Sequence, residues 1–444
     1  MHRQGIRHPA RLVPIAFLIV IAIGTALLML PMARAGPGGA PFLTALFHST
    51  SAVCVTGLLT VDTPTYWSPF GHGVILLLFQ VGGFGIMSGA TLLGLLAGRG
   101  LRLSVRLVAR TERGTLEMSD VLSVLRLILI VTVSVELFAA AWLTAALHWG
   151  YGEPWREAAW TGLFHGVSAF TNAGFSTYSD SLVGFRSDLL VLLPMMLAIL
   201  AGALGFPVLH ELRREPFKPS GWSLHSKVTL LGSIILLVAG FVGVLAAEWT
   251  NPATLGPMSL PDKLLNGVFH SVTPRSAGFN TLDTAQLRIE TVAINYVLMF
   301  IGGGSAGTAG GIKVTTFFLL GLVVWSEIRG ERDVAIFGRR IGNHVQRQAL
   351  SVVLLAIGIV GVGTLIVLSV TDFPFSDVLF ETISAFATVG LSTGITASLP
   401  PSAQSVIIVL MFVGRVGTIT VATALALGGG QRPYRYPEER PIVG

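Results

Sequence analysis

Phe47-His48-Ser49-Thr50-Ser51-Ala52-Val53-Cys54-Val55-Thr56-Gly57-Leu58 decides how the rest of the chain is read, because it occurs four times in altered form. The second copy begins Phe164-His165, carries Ser168-Ala169, and ends Thr171-Asn172-Ala173-Gly174-Phe175-Ser176. The fourth begins Phe380-Glu381, carries Ser384-Ala385, and ends Thr388-Val389-Gly390-Leu391-Ser392. In these three, Ser-Ala lies four and five residues after the Phe, and the glycine lies ten after it. The third, Phe269-His270-Ser271-Val272-Thr273-Pro274-Arg275-Ser276-Ala277-Gly278-Phe279-Asn280, reaches its glycine one residue sooner. The four glycines are 117, 104 and 112 residues apart. Packing glycines at ordinary helix interfaces would explain one or two such segments, but not a shared spacing at four even intervals.

Working outward, each copy sits between two long apolar runs. These are Leu12–Met32, Val74–Ala97, Val121–Leu147, Leu189–Leu209, Val228–Ala247, Thr291–Trp325, Ala349–Val370 and Ala403–Leu427. Each reaches the length needed to span about 30 Å of hydrocarbon, whereas the segments near 41–53, 155–170, 262–273 and 375–388 are too short and read as re-entrant helices. The first run follows Arg3, Arg7 and Arg11 and precedes Ala33-Arg34-Ala35, which imitates a processing site, but its 21 residues exceed a cleavable core and read as a retained span. The composition agrees. Of 444 residues, 52% are hydrophobic and 12% charged, half the share usual in soluble domains, and the mean hydropathy is +0.73. The single cysteine, Cys54, excludes an internal disulfide and a multi-cysteine metal site.

A net charge of +6 could suggest nucleic acid, but the charges are placed otherwise. Twenty Lys and Arg fall in the N-terminal arm, at 99–113, 213–227 and 329–347, and in the tail. The opposite side carries six, Arg34, Arg156, Arg186, Lys263, Arg275 and Arg288. This asymmetry places both termini in the cytoplasm of a multi-pass membrane protein, with the lipid bilayer, not nucleic acid, as its surroundings.

At membrane depth, non-helical backbone is tolerated only where it is buried in protein or lines a water-filled cavity. Four re-entrant loops can surround one axis, and a glycine in each can adopt backbone angles closed to other residues. Rings of carbonyl oxygens replace an ion's hydration shell. The four copies resemble the membrane subunit of bacterial Ktr and Trk potassium uptake systems, related to plant HKT and fungal Trk transporters. The likeness covers nearly the whole chain, and eight spans without an added N-terminal pair, with the tail Glu439-Arg440-Pro441-Ile442-Val443-Gly444, favour the Ktr type. The resemblance implies a potassium filter of Val55, Thr56, Gly57; Asn172, Ala173, Gly174; Ser276, Ala277, Gly278; and Thr388, Val389, Gly390. Glycine rather than serine at 57 goes, in this family, with potassium as the bound and transported ion, and sodium is implied as a second ion. It also implies the bacterial cytoplasmic (inner) membrane as location, and a homodimer seated on a cytosolic ring of nucleotide-binding (KtrA/TrkA-like) subunits.

Asp62, Asp180 and Asp283 follow the first three glycines by five, six and five residues, and are read as an outer mouth that concentrates cations. His48, His165, His270 and Glu381 occupy one repeat position. Because they belong to four quarters of the arrangement, they are read as hydrogen-bonding to neighbouring spans rather than as metal ligands. The sixth run, 35 residues long, is broken by Gly302-Gly303-Gly304-Ser305-Ala306-Gly307-Thr308-Ala309-Gly310-Gly311-Ile312-Lys313. Consecutive glycines disfavour helix, so an irregular loop is expected there; the resemblance makes it the gate. Gly302-x-Gly304-x-x-Gly307 also fits a dinucleotide fingerprint, with Glu327 at the matching distance, but no βαβ unit surrounds it. Lys313 needs a carboxylate, carbonyl or water partner. Arg415, in the middle of the last run, is read as a cation facing the pore below the filter, assigned with 302–311 and Lys313 to the gate. Arg126 is read as snorkelling, and Glu136 has no assigned role.

The expected fold is an all-α integral membrane protein with four helix–pore helix–filter–helix repeats, giving eight transmembrane helices and four re-entrant pore helices about a pseudo-fourfold pore. The repeats run 1–100, 101–215, 216–330 with the loop at 302–312, and 331–430, with a tail at 431–444. The expected function is gated, non-enzymatic potassium uptake; a secondary transporter coupled to sodium or protons is the alternative. An embedded enzyme would need a nucleophile, paired carboxylates or a metal cluster at membrane depth, and no such set stands out.

Overall fold

A computed structural model describes residues 9–96, 118–216 and 218–417. Arg3 and Arg7, the basic stretch 99–113, the end of the last run and the tail lie outside them. The described chain is mostly helical, with almost no strand. Four short helices, Phe42–Val53, Trp155–Thr171, Leu260–Val272 and Phe375–Phe386, carry the repeated segment. Three of them start directly after a proline (Pro41, Pro154, Pro374), and the third has Pro261 in its first turn, where the missing N–H costs nothing.

Each short helix is flanked by two apolar helices. In the first unit these are Pro9–Leu28 and Pro69–Leu96, and in the second Met118–Tyr151 and Leu189–Leu204. In the third they are Leu224–Glu248 and the pair Ile289–Phe300 and Val314–Ile328, and in the fourth Asn343–Ser369 and Pro401–Phe412. Among the described residues, four helices are long and apolar enough to cross a membrane unaided: Pro69–Gly89, Val124–Tyr151, Leu224–Glu248 and Asn343–Ser369.

The units close on themselves. The second helix of the first unit packs on the short helix of the second, that of the second on the short helix of the third, and so on. The cycle ends where Pro401–Phe412 packs on Phe42–Val53 of the first unit. The short helices are therefore held around a common centre, and their phenylalanines Phe47, Phe164, Phe269 and Phe380 are fully buried.

Two elements depart from the sequence expectation. The run Leu189–Leu209 is not one helix: it bends by 104° at Gly205 into Phe206–Arg214. Gly205 has φ 87° and Pro207 opens the new helix, so hydropathy continues across a backbone break. The basic stretch after Ile328 contains a small antiparallel hairpin, Ala335–Ile336 with Arg339–Arg340.

Candidate functional site

The chain leaving each short helix turns back sharply, and the four turns meet. A methyl group on Gly57 would lie 2.6 Å from the Ala173 carbonyl oxygen, one on Gly174 3.0 Å from that of Ala277, and one on Gly278 2.5 Å from that of Val389. On Gly390 it would overlap the Thr56 carbonyl. Each glycine thus abuts the next unit in chain order, and the fourth closes on the first. All four have positive φ, 91°, 70°, 75° and 92°. So do the residues two places earlier: Val55 at 56°, Asn172 at 59°, Ser276 at 90° and Thr388 at 48°. The residue between them is not left-handed in any unit. Such alternation turns successive backbone carbonyls toward one side of the strand, the reverse of the amide nests that bind anions.

A hydroxyl on the short helix braces each turn. Ser51 Oγ accepts from Gly57 N at 3.1 Å and Ser384 Oγ from Gly390 N at 3.1 Å, whereas Ser168 Oγ donates to the Phe175 carbonyl at 2.8 Å. In the third unit, where Thr273-Pro274 stands in place of that Ser-Ala pair, Thr273 Oγ1 donates to the Phe279 carbonyl at 2.5 Å. Thr273 stands four residues after its Phe, as the serines do, so the brace survives the shortened loop.

The histidine position mostly ties the short helix to the chain returning from the turn, which differs from the expected partners. His48 Nε2 lies 3.3 Å from the Val61 carbonyl, and His165 Nε2 lies 3.0 Å from Ser176 Oγ. Glu381 accepts from the Ser392 hydroxyl, from Thr393 N at 3.1 Å and from Thr396 Oγ1 at 2.7 Å. Only His270 reaches a neighbouring helix, at Asn295.

The four glycines floor an open vestibule of about 250 Å³. Asp62 and Asp283 are on its wall; Asp180 is not, although Ser179 and Ser181 are. Asp62 Oδ2 accepts from Thr65 at 2.6 Å and from Ser179 at 2.8 Å, and Asp283 caps the turn Thr284–Gln286.

On another side of the ring, residues 302–312 run as non-helical chain between Ile289–Phe300 and Val314–Ile328. The loop is bonded to three units. Thr308 N donates to the Gly202 carbonyl at 3.0 Å, and Thr308 Oγ1 donates to that of Phe170 at 3.1 Å. The same hydroxyl accepts from Asn172 Nδ2 at 2.9 Å. Gly310 N donates to Ser276 Oγ at 2.9 Å, which itself donates to the Thr388 carbonyl at 2.9 Å. Gly304 N donates to the Ala203 carbonyl at 2.8 Å, and a methyl on Gly205 would lie 2.6 Å from the Ser305 carbonyl, so the bend in the second unit is what admits the loop. Lys313 Nζ donates to the Ala309 carbonyl at 2.6 Å. Arg415, 2% exposed on a π-helical turn at Val413–Gly417, donates from Nη1 to the Thr308 carbonyl. π-turns of this kind re-aim one side chain within a helix.

Three further placements were not readable beforehand. Arg275, counted with the outer-face charges, is 3% exposed and donates to Ser233 O at 3.3 Å and Ser233 Oγ at 3.0 Å. It anchors the short third loop from behind. Glu136 is buried between the first and second units, where Gln80 Nε2 donates to it at 2.9 Å. A second glycine series, Gly82, Gly202 and Gly414, lets the carbonyls of Val53, Phe170 and Phe386 approach, each six residues after the repeat Phe. The glycines themselves stand 35, 38 and 34 residues after that Phe, so no common spacing marks them among many nearby glycines.

Residues 5–429 match the family model TrkH, described as cation transport protein. The chain is 37% identical over 437 residues to Ktr system potassium uptake protein B of Bacillus subtilis, covering 98% of this chain and 97% of the relative. It is 35% identical over 443 residues to the potassium/sodium uptake protein NtpJ of Enterococcus hirae, with the same coverages. Its fold is similar to the crystal structure of the potassium transporter TrkH from Vibrio parahaemolyticus, with a TM-score of 0.74 and 17% identity, covering 95% of this chain and 85% of that one.

Proposed function

The chain belongs to the TrkH family of cation transport proteins, as a multi-pass membrane potassium uptake transporter of the Ktr/Trk type and not an enzyme, and we propose that its potassium passes through the ring of Gly57, Gly174, Gly278 and Gly390. The observation that carries this reading is the closure of that ring by four left-handed turns. The turns can present rows of carbonyls to an ion that has shed its water. The short helices end at the ring, and each helix C-terminus carries about half a negative charge, which favours a cation there. The membrane potential then supplies about 2.3 kcal/mol per elementary charge per 100 mV for inward movement.

In this reading eight apolar segments cross the bilayer, four short helices enter part way, and both termini face the cytoplasm. The kinked and divided helices count as single crossings. Asp62 and Asp283 raise the local cation concentration at the outer mouth. The loop 302–311, with Lys313 and Arg415, obstructs the inner half of the pathway, and two chains pair on a cytosolic ring of nucleotide-binding subunits that moves it. Sodium is a weaker competitor for the ring. Rubidium counterflow into liposomes holding the full chain tests the proposal. Uptake should be competed by potassium at least about ten-fold more strongly than by sodium, a preference of roughly 1.4 kcal/mol. Equal competition would remove the potassium assignment.

A further inference from the structure

Resting on that reading of ring and loop, we propose that Asn172 and Ser276 latch the loop to the ring, so that potassium in the ring and the position of the loop form one coupled equilibrium. Both residues stand two places before a ring glycine, in the left-handed conformation. Their side chains point away from their own turns onto the loop: Asn172 Nδ2 to Thr308 Oγ1 at 2.9 Å, and Ser276 Oγ to Gly310 N at 2.9 Å. Ser276 Oγ also holds the Thr388 carbonyl of the next ring segment at 2.9 Å. One hydroxyl therefore joins the loop to two ring segments.

The repeat position itself explains why only some units take part. It holds Val55, Asn172, Ser276 and Thr388 in the four units. The loop meets the polar members, with a methyl on Gly310 overlapping the Thr388 hydroxyl, and the valine packs instead against Gly82 of its own unit. Thr308, whose N, O and Oγ1 are all bonded, is fully buried. The loop cannot leave without breaking the bonds from Asn172 and Ser276. The same bonds restrain two left-handed residues that have other backbone states open to them. A docked loop thus preforms the ring. By reciprocity, an ion bound in the ring favours the docked loop.

The test uses the full chain in liposomes, with Asn172→Gly and Ser276→Gly, which keep the left-handed backbone while deleting the latch atoms. Thr308→Val removes the hydroxyl without changing the volume. Asn172→Gly should raise rubidium uptake about five-fold, the effect expected of one lost hydrogen bond, and Ser276→Gly and Thr308→Val, which each lose two, by at least as much. Asn172→Gly with Thr308→Val should give no more than Thr308→Val alone, since the bond from Asn172 is already lost there. The linkage is read by maleimide labelling of a Ser305→Cys variant, Cys54 being buried. Potassium should slow labelling about three-fold relative to choline when the latch is intact, and have no effect in the Asn172→Gly, Ser276→Gly background. Unchanged potassium dependence in that background overturns the latch. Arg415→Ala, which frees the Thr308 carbonyl, separates the two readings. If it raises uptake while the latch variants do not, the gate stands and the latch falls; if it too leaves uptake unchanged, the gate reading falls and takes the latch with it.

Discussion

The ring and the loop against it are both built on glycine, yet the residue serves different ends in the two places. At Gly57, Gly174, Gly278 and Gly390 it supplies a left-handed backbone, and any added carbon would press on the neighbouring unit of the same ring. In the loop, Gly302, Gly303, Gly304, Gly307 and Gly310 have ordinary φ. There glycine is needed because another backbone lies against it: the Ala203 carbonyl at Gly303, that of Leu204 at Gly304, and that of Gly202 at 2.8 Å from a methyl on Gly307. A side chain in the ring deforms the ring. A side chain in the loop pushes the loop off the helix Leu189–Leu204. The same substitution made in the two places is therefore expected to act first on selectivity in the ring and first on closure in the loop.

The largest effect should follow Gly390→Ala, whose methyl overlaps Thr56 O, with Gly278→Ala and Gly57→Ala next and Gly174→Ala, at 3.0 Å, the mildest. Potassium preference over sodium in rubidium uptake should fall about ten-fold or more for the first, since left-handed strain of 1–2 kcal/mol adds to the overlap. A reversed order would break the ring account. A different effect is expected of Gly304→Ala: uptake should rise about three- to ten-fold, the equivalent of one or two lost contacts, with preference falling far less than in Gly390→Ala. If preference falls as far as in Gly390→Ala, the two regions do not differ as their geometry requires. The smallest is expected outside the ring. Asp62→Asn with Asp283→Asn should raise the potassium concentration for half-maximal uptake about two-fold at low salt and not at high salt, as screened surface charge requires. Asp180→Asn, off the vestibule wall, should leave it unchanged at both.

The central features were legible because glycine at a repeated offset has few structural uses. The four turns follow from that, and the break at 302–312 from its consecutive glycines. Other features were hidden by features that point the wrong way. Leu189–Leu209 is uniformly apolar, so hydropathy masked the bend that Gly205-Phe206-Pro207 imposes. Arg275 is basic and sits beside a loop, which reads as surface, yet it is held at Ser233 behind the ring. Asp180 stands one residue further from its glycine than its two counterparts do, and of the run Ser179-Asp180-Ser181 the two serines line the vestibule while it does not. Spacing along the chain fixed which residues recur; which way each side chain turns depends on the neighbouring unit, and no single copy contains that information.

Potassium binding to the purified full chain tests the ring most directly. Titration calorimetry should show saturable potassium binding to the unsubstituted chain that sodium displaces at least about ten-fold less well. The Gly390→Ala chain, with its size-exclusion profile unchanged, should show none. Undiminished potassium binding by that variant would place the ion elsewhere and contradict the account.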